Sequence, residues 1–181
     1  MTRALLALVS LIFPVLAAAP ADAAALPSKA QWQADVRHAM HGSVAYLDQR
    51  VPRGGGPLAI VLDIDNTSLA THYAWPQPVR PTLRFARHAH ALGVGVFFVT
   101  GRYQDGLRGV RRTLTKAGYT VTGMCGRRHG EALAHSKQRC RRQITRAGWR
   151  IIANVGNRGS DLVGGNYERG FRLPSYGGRL S

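Results

Sequence analysis

The chain has 181 residues with 25 Lys or Arg against 9 Asp or Glu, so its formal net charge is +16. This length can bury a sizeable single-domain core, and after residue 23 no apolar stretch is long enough to span a membrane. The arginine excess leaves two interpretations open: weak attraction of polyanions, or a solvated surface with biased composition. The scattered positions of the arginines favour the second.

Residues 1–23 have the composition of a secretory signal peptide. Arg3 gives the positive start, Ala4 to Ala19 are largely apolar, and Ala21-Asp22-Ala23 fits a cleavage site. The alternative is an uncleaved anchor, but that needs about 20 apolar residues, and Pro14 interrupts this shorter stretch. We therefore expect a secreted or extracytoplasmic protein, with a signal peptide at residues 1–23, one domain at residues 24–181 and no membrane contact after cleavage.

The rest of the chain alternates between predicted strands and helices. This order is typical of an α/β fold whose parallel sheet is covered by helices on both faces. Residues 68–80 have two prolines and no periodicity, which predicts a loop. In chain order we expect a helix over 28–50, a strand over 58–62, helices over 81–92, 104–117 and 136–147, strands over 94–99, 119–122 and 150–155, and an edge strand over 170–173.

The first predicted strand, Leu58 to Leu62, runs directly into Asp63-Ile64-Asp65-Asn66-Thr67. Ligands of open α/β sheets bind at the carboxyl ends of the strands, and alternate residues of an extended chain share one side. Asp63 and Asp65 are therefore candidates for cation binding and for acid, base or nucleophilic chemistry. An EF-hand loop starting at Asp63 is excluded, because its sixth and twelfth positions are Ser68 and Ala74. A lone Asp-x-Asp also occurs in turns and in glycosyltransferase metal sites.

Other polar residues follow the remaining strands. Thr100 ends the strand over 94–99, Asn157 and Asp161 lie in the glycine-rich turn after the strand over 150–155, and Lys137 begins the helix before it. Lys116 is the competing lysine, but it lies late in its helix and away from the carboxyl edge. Taken alone, Thr100 is typical of a strand-end cap and Lys137 of a solvated helix residue. Because Thr100, Lys137, Asn157 and Asp161 all lie at the same predicted edge of the sheet, all four are candidate site residues.

This series of motifs resembles the haloacid dehalogenase (HAD) superfamily. Asp63 to Thr67 is similar to its first motif, Thr100 in Val-Thr-Gly-Arg to the second, Lys137 to the third, and the turn over 156–161 to the fourth. The wider pattern, over about 30–176, resembles the subfamily IIIB acid phosphatases, which include plant vegetative storage proteins. It includes Tyr46-Leu47, Ser160-Asp161-Leu162-Val163-Gly164 and Gly170-Phe171-Arg172-Leu173-Pro174.

The resemblance implies a three-layer, Rossmann-like HAD fold and a role for each motif residue. Asp63 would be the nucleophile that forms an aspartyl-phosphate, and Asp65 the acid and then the base. Thr100 would bind the phosphoryl oxygens, and Lys137 would offset their charge. Mg²⁺ would be the cofactor of phosphoryl transfer. Its expected ligands are Asp63, the Asp65 carbonyl, Asn157 and Asp161.

Asn157 departs from the family pattern, in which an acidic residue usually begins the fourth motif. The site loses one negative charge there. We therefore expect weaker Mg²⁺ binding than the family norm, with Asp161 as the main carboxylate of the turn, or Asn157 reaching the metal through water.

Residues 68–99, between the first two motifs, are mostly helix and strand, so no large cap domain fits there. An open site predicts broad activity on small phosphomonoesters. His72, Tyr73 and Trp75 are candidates for packing on an aromatic or nucleoside leaving group, although Trp75 could equally anchor its own loop. His129 and His135 are expected at the surface.

Cys125 and Cys140 are the two cysteines of the chain. In an exported protein a pair of cysteines suggests a disulfide; the alternative is two reduced, buried thiols. Because these cysteines flank Lys137, a disulfide would hold the segment that carries the lysine.

The leading hypothesis is an exported, Mg²⁺-dependent acid phosphatase. A non-catalytic storage or polyanion-binding protein on the same fold is the alternative, since storage relatives can lose the nucleophile. The presence of Asp63 and Asp65 argues against it, and a phosphotransferase would differ only in its acceptor.

Overall fold

Five parallel strands form the centre of the computed structural model, which describes residues 25–180. The predicted signal peptide lies outside the described residues. The strand order is β3-β2-β1-β4-β5, which puts β1 in the middle of the sheet. The strands are β1 (Leu58–Leu62), β2 (Gly95–Tyr103), β3 (Gly123–Arg127), β4 (Arg150–Gly156) and β5 (Arg169–Arg172).

Helices cover both faces of this sheet. Along β1, Ile60 and Leu62 pack into one apolar cluster, while Ala59 and Val61 pack into another on the opposite face. This alternation follows from the two-residue period of a strand and explains why β1 is apolar at every position. The predicted three-layer α/β fold is confirmed. The helices are α1 (Lys29–Ala39), α2 (Ser43–Arg50), α3 (Thr71–Ala74), α4 (Arg80–Ala91), α5 (Leu107–Lys116), α6 (Leu133–Arg146) and α7 (Gly159–Leu162).

The prediction of one helix over 28–50 is wrong, because the chain breaks between α1 and α2. Gly42 has φ 73°, a left-handed conformation that glycine adopts without steric cost. Trp32, Val36 and Leu47 are still buried as their helical spacing predicts. In the described part of the chain, no helix is both long and apolar enough to cross a membrane.

The strand predicted over 119–122 is also wrong, since β3 begins at Gly123. Tyr119 is buried beneath the sheet edge, where its hydroxyl donates to the carbonyl of Ser68 at 2.7 Å. Gly123 pairs with Phe97, and a Cβ at this position would lie 2.8 Å from the Phe97 ring. The glycine that weakens the strand signal in the sequence is therefore required by the packing.

The loop predicted over 68–80 contains α3 and otherwise follows the carboxyl edge of the sheet. Leu69 forms bridges with Asp65 and Pro78, which fold the segment back on itself. Residues 68–94 contain α3 and α4, so no cap domain is inserted here.

Cys125 on β3 and Cys140 on α6 form a disulfide, with Cα atoms 5.7 Å apart, so the predicted bond is confirmed. A cross-link closing a loop of 15 residues stabilises by about 3 kcal/mol on the chain-entropy model. Nearby, Arg139 of α6 donates to both oxygens of Glu131 at 2.7 and 2.8 Å. The disulfide fixes the middle of α6 against β3, and the ion pair fixes it against the connection between β3 and α6.

The ion pair predicts how stability depends on pH. Its hydrogen bonds from Arg139 lower the pKa of Glu131 to about 2. Because the folded-state pKa is depressed, the stabilisation is complete above the ordinary value near 4.5 and is lost as the pH falls toward 2. We expect Glu131→Gln to lower the free energy of unfolding by about 1–2 kcal/mol at pH 7, and by much less at pH 3. Urea titrations at both pH values measure this, and an equal loss at both would contradict it.

Candidate active site

A small cleft of about 230 Å³ opens at the carboxyl edge of the sheet. Asp63 and Asp65 enter it from the end of β1, while Ile64 points into the core and is fully buried. The spacing of the two aspartates in the sequence thus puts them in one cleft. The cleft is lined by Asp63, Asp65, Gly101, Arg102, Arg127, Leu133, Lys137, Asn157 and Arg158.

Lys137 bridges two buried carboxylates at the base of this cleft. Its Nζ donates to Asp63 Oδ1 at 2.7 Å and also contacts Asp161 Oδ1. All three residues are at least 95% buried, so one positive charge is enclosed with two negative charges. Lys116, the competing lysine, is exposed at the end of α5.

Burial sets the protonation of this cluster. Desolvation, together with the nearby charge of Asp161, raises the pKa of Asp63 to about 7 despite the presence of Lys137. Burial alone would lower the pKa of Lys137, but its two carboxylate partners reverse this and raise it. The lysine therefore stays charged while the two carboxylates compete for it. A further cation beside Asp63 would relieve that competition.

Asp65 has a separate set of partners. Arg102 donates to its two carboxylate oxygens at 2.6 and 2.9 Å, and the Thr71 hydroxyl donates at 2.8 Å. Burial opposes the ionisation of Asp65, but the hydrogen bonds and charge of Arg102 outweigh it and lower the pKa. Arg102 is in turn covered by the Trp75 ring, 5.2 Å from ring centroid to guanidinium carbon. The two aspartates of the motif thus have opposite pKa shifts.

Thr100 is buried beside the cleft, on β2. Its hydroxyl oxygen accepts the backbone N–H of Arg102 at 3.2 Å, which leaves the hydroxyl proton available to another acceptor. The next residue, Gly101, lines the cleft. Thr100 therefore helps to hold Arg102 in place near the end of β2.

The turn after β4 holds Asp161 rigidly. The second oxygen of Asp161 accepts the backbone N–H of Arg158 at 2.8 Å, and its carbonyl accepts from Arg141 and Asn154. A Cβ on Gly156 would lie 2.3 Å from the Cβ of Asp161, so glycine is required for the turn to close on the carboxylate. Asp161 is therefore fixed against Lys137.

Asn157 lines the cleft and is 99% buried. Its amide nitrogen donates to the carbonyl of Leu180 at 2.8 Å. This bond ties the C-terminal segment to the site and fixes the orientation of the amide, so that its oxygen remains as an acceptor. The role in tethering Leu180 was not visible in the sequence.

The donor set fits a hard divalent cation. Mg²⁺ prefers oxygen ligands, and it usually takes one or two carboxylates and keeps several waters. Asp63, Asp65 and Asn157 line the cleft and carry such oxygens, and Asp161 lies against Lys137 at its base. Among residues 25–180 no group of three or more His, Cys, Asp or Glu side chains is arranged to hold a metal, so such an ion would depend on carbonyl and amide oxygens and on water.

The aromatic residues near the site differ in what they contact. Tyr73 stacks on Trp32 at 4.8 Å and donates to the carbonyl of Pro27, so it belongs to the scaffold. Trp75 is 48% exposed and lies over Arg102, next to the cleft. His129 is exposed, as expected, but it stacks on Tyr103 at the rim of the site, and His135 is also exposed.

A larger cleft of about 1070 Å³ lies between α1 and α4. Its described lining includes Lys29, Arg37 and Arg84 but none of the carboxylates discussed above. The carboxyl-edge cleft, although smaller, is therefore the candidate active site.

A parallel α/β sheet with two aspartates at the tip of its central strand is the arrangement that the four sequence motifs imply. Two solved structures share the fold: the class C acid phosphatase from Bacillus anthracis, and the same class of enzyme from that organism with tungstate bound. Their TM-scores are 0.66 and 0.64, each with 16% identity, covering 81% of this chain and 79% of theirs. A comparison with curated proteins finds no match.

Residues 71–179 match the family model for the HAD superfamily, subfamily IIIB (acid phosphatase). This is more than half of the chain, so the chain belongs to that subfamily and is a phosphomonoesterase. The matched region includes Thr100, Lys137, Asn157 and Asp161 and begins after Asp63 and Asp65. The resemblance inferred from the motifs is confirmed.

Proposed function

We propose that this phosphomonoesterase is exported, uses Mg²⁺, and acts through an aspartyl-phosphate on Asp63. The observation that carries the proposal is that the two aspartates have different partners. Asp63 is buried against Lys137, whereas Asp65 is held apart from it by Arg102 and Thr71. In this proposal Asp63 attacks the phosphorus and Asp65 exchanges protons.

In the proposed reaction, an Asp63 oxygen attacks the phosphorus of the ester and the bond to the leaving oxygen breaks. Asp65 donates a proton to that leaving oxygen, and its carboxylate then takes a proton from the water that hydrolyses the aspartyl-phosphate. For the first of these steps Asp65 must hold a proton, which its pairing with Arg102 opposes. Arg102 therefore has to loosen its contact with Asp65 as the phosphoryl group enters.

Lys137 and Thr100 support the same step. The lysine offsets the negative charge that builds on the phosphoryl oxygens, and the Thr100 hydroxyl has a free proton to donate to them. Asp161 holds the lysine in place. Asp63, the Asp65 carbonyl, Asn157 and Asp161 would hold Mg²⁺, which would neutralise phosphoryl charge.

Export and broad specificity belong to the same proposal. The disulfide between Cys125 and Cys140 supports an oxidising compartment, in agreement with the composition of residues 1–23. The absence of a cap between residues 68 and 94 leaves the cleft open to leaving groups of different size.

A metal-dependent assay on phenyl phosphate tests the proposal. The protein is stripped with a chelator and assayed with added Mg²⁺, Ca²⁺ or no metal. We expect activity only after Mg²⁺ is restored, and calorimetry should show binding of Mg²⁺ to the stripped protein. Full activity in the presence of excess chelator would overturn the metal requirement.

Asn157→Asp tests the role of Asn157, the residue of the fourth motif that departs from the family pattern. The added carboxylate should tighten Mg²⁺ binding. Because it also replaces the N–H that Leu180 accepts, the metal-free variant should lose about 1–3 kcal/mol of stability. Calorimetric titration and thermal melts with and without Mg²⁺ measure both effects. Unchanged Mg²⁺ affinity would remove Asn157 from the metal site.

A further inference from the structure

The cleft contains more positive charge than the proposed reaction uses. The charged groups at the site are Asp63, Asp65, Asp161, Lys137, Arg102, Arg127 and Arg158. Three carboxylates thus face four cations. A divalent metal and a phosphomonoester dianion have equal and opposite charges, so their binding leaves this balance unchanged.

Two of these cations, Arg127 and Arg158, have no carboxylate partner among the described residues, and the Arg158 guanidinium donates to the carbonyl of Gly178 at 3.4 Å. Lys137 is paired with Asp63 and Asp161, and Arg102 with Asp65. Arg158 follows Asn157 directly and donates its backbone N–H to Asp161, so it lies next to the reacting centre. Within residues 25–180, no carboxylate forms an ion pair with Arg127.

The carboxylate closest in sequence does not balance Arg127. Glu131 accepts hydrogen bonds from two nitrogens of the Arg139 guanidinium, Nε and Nη2, and from the backbone N–H of Arg128. Arg127 instead donates its Nε–H to the backbone carbonyl of Glu131 at 2.5 Å. Its guanidinium carbon also lies 5.8 Å from the centroid of the Tyr103 ring. These contacts orient the side chain and leave its terminal nitrogens for a ligand.

Arg127 also lies at a distinct place in the site. It ends β3, which is separated from β1 by β2, so its backbone lies about 10 Å along the sheet edge from the strand that carries Asp63. Lys137, which contacts Asp63, already provides a cation at the reacting centre. Arg127 is the cation at the β3 end of the cleft, where the part of the substrate beyond the phosphoryl group would lie.

We propose that Arg127 binds a second anionic group, a carboxylate or a further phosphate, on the leaving group of the substrate. The preferred substrates would then be phosphomonoesters with two anionic ends. Arginine binds both kinds of anion through two parallel hydrogen bonds. This inference rests on the proposed function, because it uses the same cleft and the same nucleophile.

The test compares phenyl phosphates substituted at position 3 or 4 with a carboxylate, a phosphonate or a carbamoyl group. The carbamoyl group has the shape of the carboxylate without its charge. We expect kcat/KM for one or both anionic substrates to exceed that for the carbamoyl substrate by about 10-fold or more, with the difference mainly in KM. Comparison of the carboxylate substrate with the phosphonate substrate shows which anion is preferred.

Variants separate a specific contact from the general basic charge of the protein. Arg127→Gln should remove the preference for the anionic substrates, and Arg127→Lys should restore part of it. Arg128→Gln removes the same charge from the exposed neighbouring residue and should leave the preference intact.

Equal kcat/KM values for charged and neutral substrates, or equal loss of preference in both glutamine variants, would overturn the assignment of Arg127 while leaving the phosphatase proposal standing. Failure to hydrolyse any of these substrates would overturn both.

Discussion

Replacing Asp63 by asparagine is expected to reduce kcat on phenyl phosphate on the order of 10⁴-fold or more, because the amide cannot form the aspartyl-phosphate. The change keeps the shape of the side chain and one oxygen that can accept from Lys137. A mass spectrum of acid-quenched wild-type protein should show phosphate on the peptide that contains Asp63. The variant should show none.

Asp48→Asn is the matched control for this prediction. Asp48 lies on α2, pairs with His88 and is about half exposed, so the same chemical change occurs far from the cleft. Turnover should be unchanged in this control. Equal turnover by wild type and Asp63→Asn would overturn the assignment of the nucleophile, and a phosphopeptide that excludes Asp63 would move it to another residue.

The position of the reactive residues could be predicted from the sequence because it depends on local rules. An apolar run that stops at two aspartates predicts a buried strand with its ligands at the tip. Thr100 and Asp161 follow from the same rule, because the carboxyl ends of parallel strands share an edge. Lys137 was a candidate only through its place at the start of the helix that precedes β4, and its role came from the resemblance, since a lysine on a helix has no local signal of burial.

The partners of these residues could not be predicted, because they are distant in the sequence. Arg102 lies 37 residues from Asp65 and Leu180 lies 23 residues from Asn157. No periodicity encodes such pairs. The motif Val-Thr-Gly-Arg contained the one available signal for Arg102, an arginine two residues beyond a strand-end threonine.

One of the errors in the predicted elements also comes from a contact between residues that are distant in the sequence. β3 is displaced to Gly123–Arg127 because its two glycines suppress the strand signal, although the neighbouring Phe97 ring requires one of them. The break at Gly42 shows the opposite case, in which a local backbone preference overrides a continuous apolar pattern. Only the first of these features depends on a tertiary contact, because nothing lies within 4 Å of a Cβ built at Gly42.

Replacing Lys137 by methionine is expected to damage both the chemistry and the fold. Methionine fills a similar volume without charge, so Asp63 and Asp161 would share a buried site with no cation between them. Removing one partner of a buried ion pair costs about 3–5 kcal/mol. Loss of a preorganised charge at the reacting centre lowers kcat by roughly 10²–10³-fold.

Lys116→Met is the control, because Lys116 is exposed at the end of α5 and should tolerate the change. Unfolding measured with and without Mg²⁺ adds a second test, because a cation beside Asp63 would replace part of the missing charge. The unfolding midpoint of Lys137→Met should therefore rise more with Mg²⁺ than that of wild type, while kcat stays low because the metal cannot take the place of the ammonium group. If Lys137→Met kept wild-type kcat, the lysine would be a structural counter-ion alone, and phosphoryl charge would have to be balanced by the arginines of the cleft.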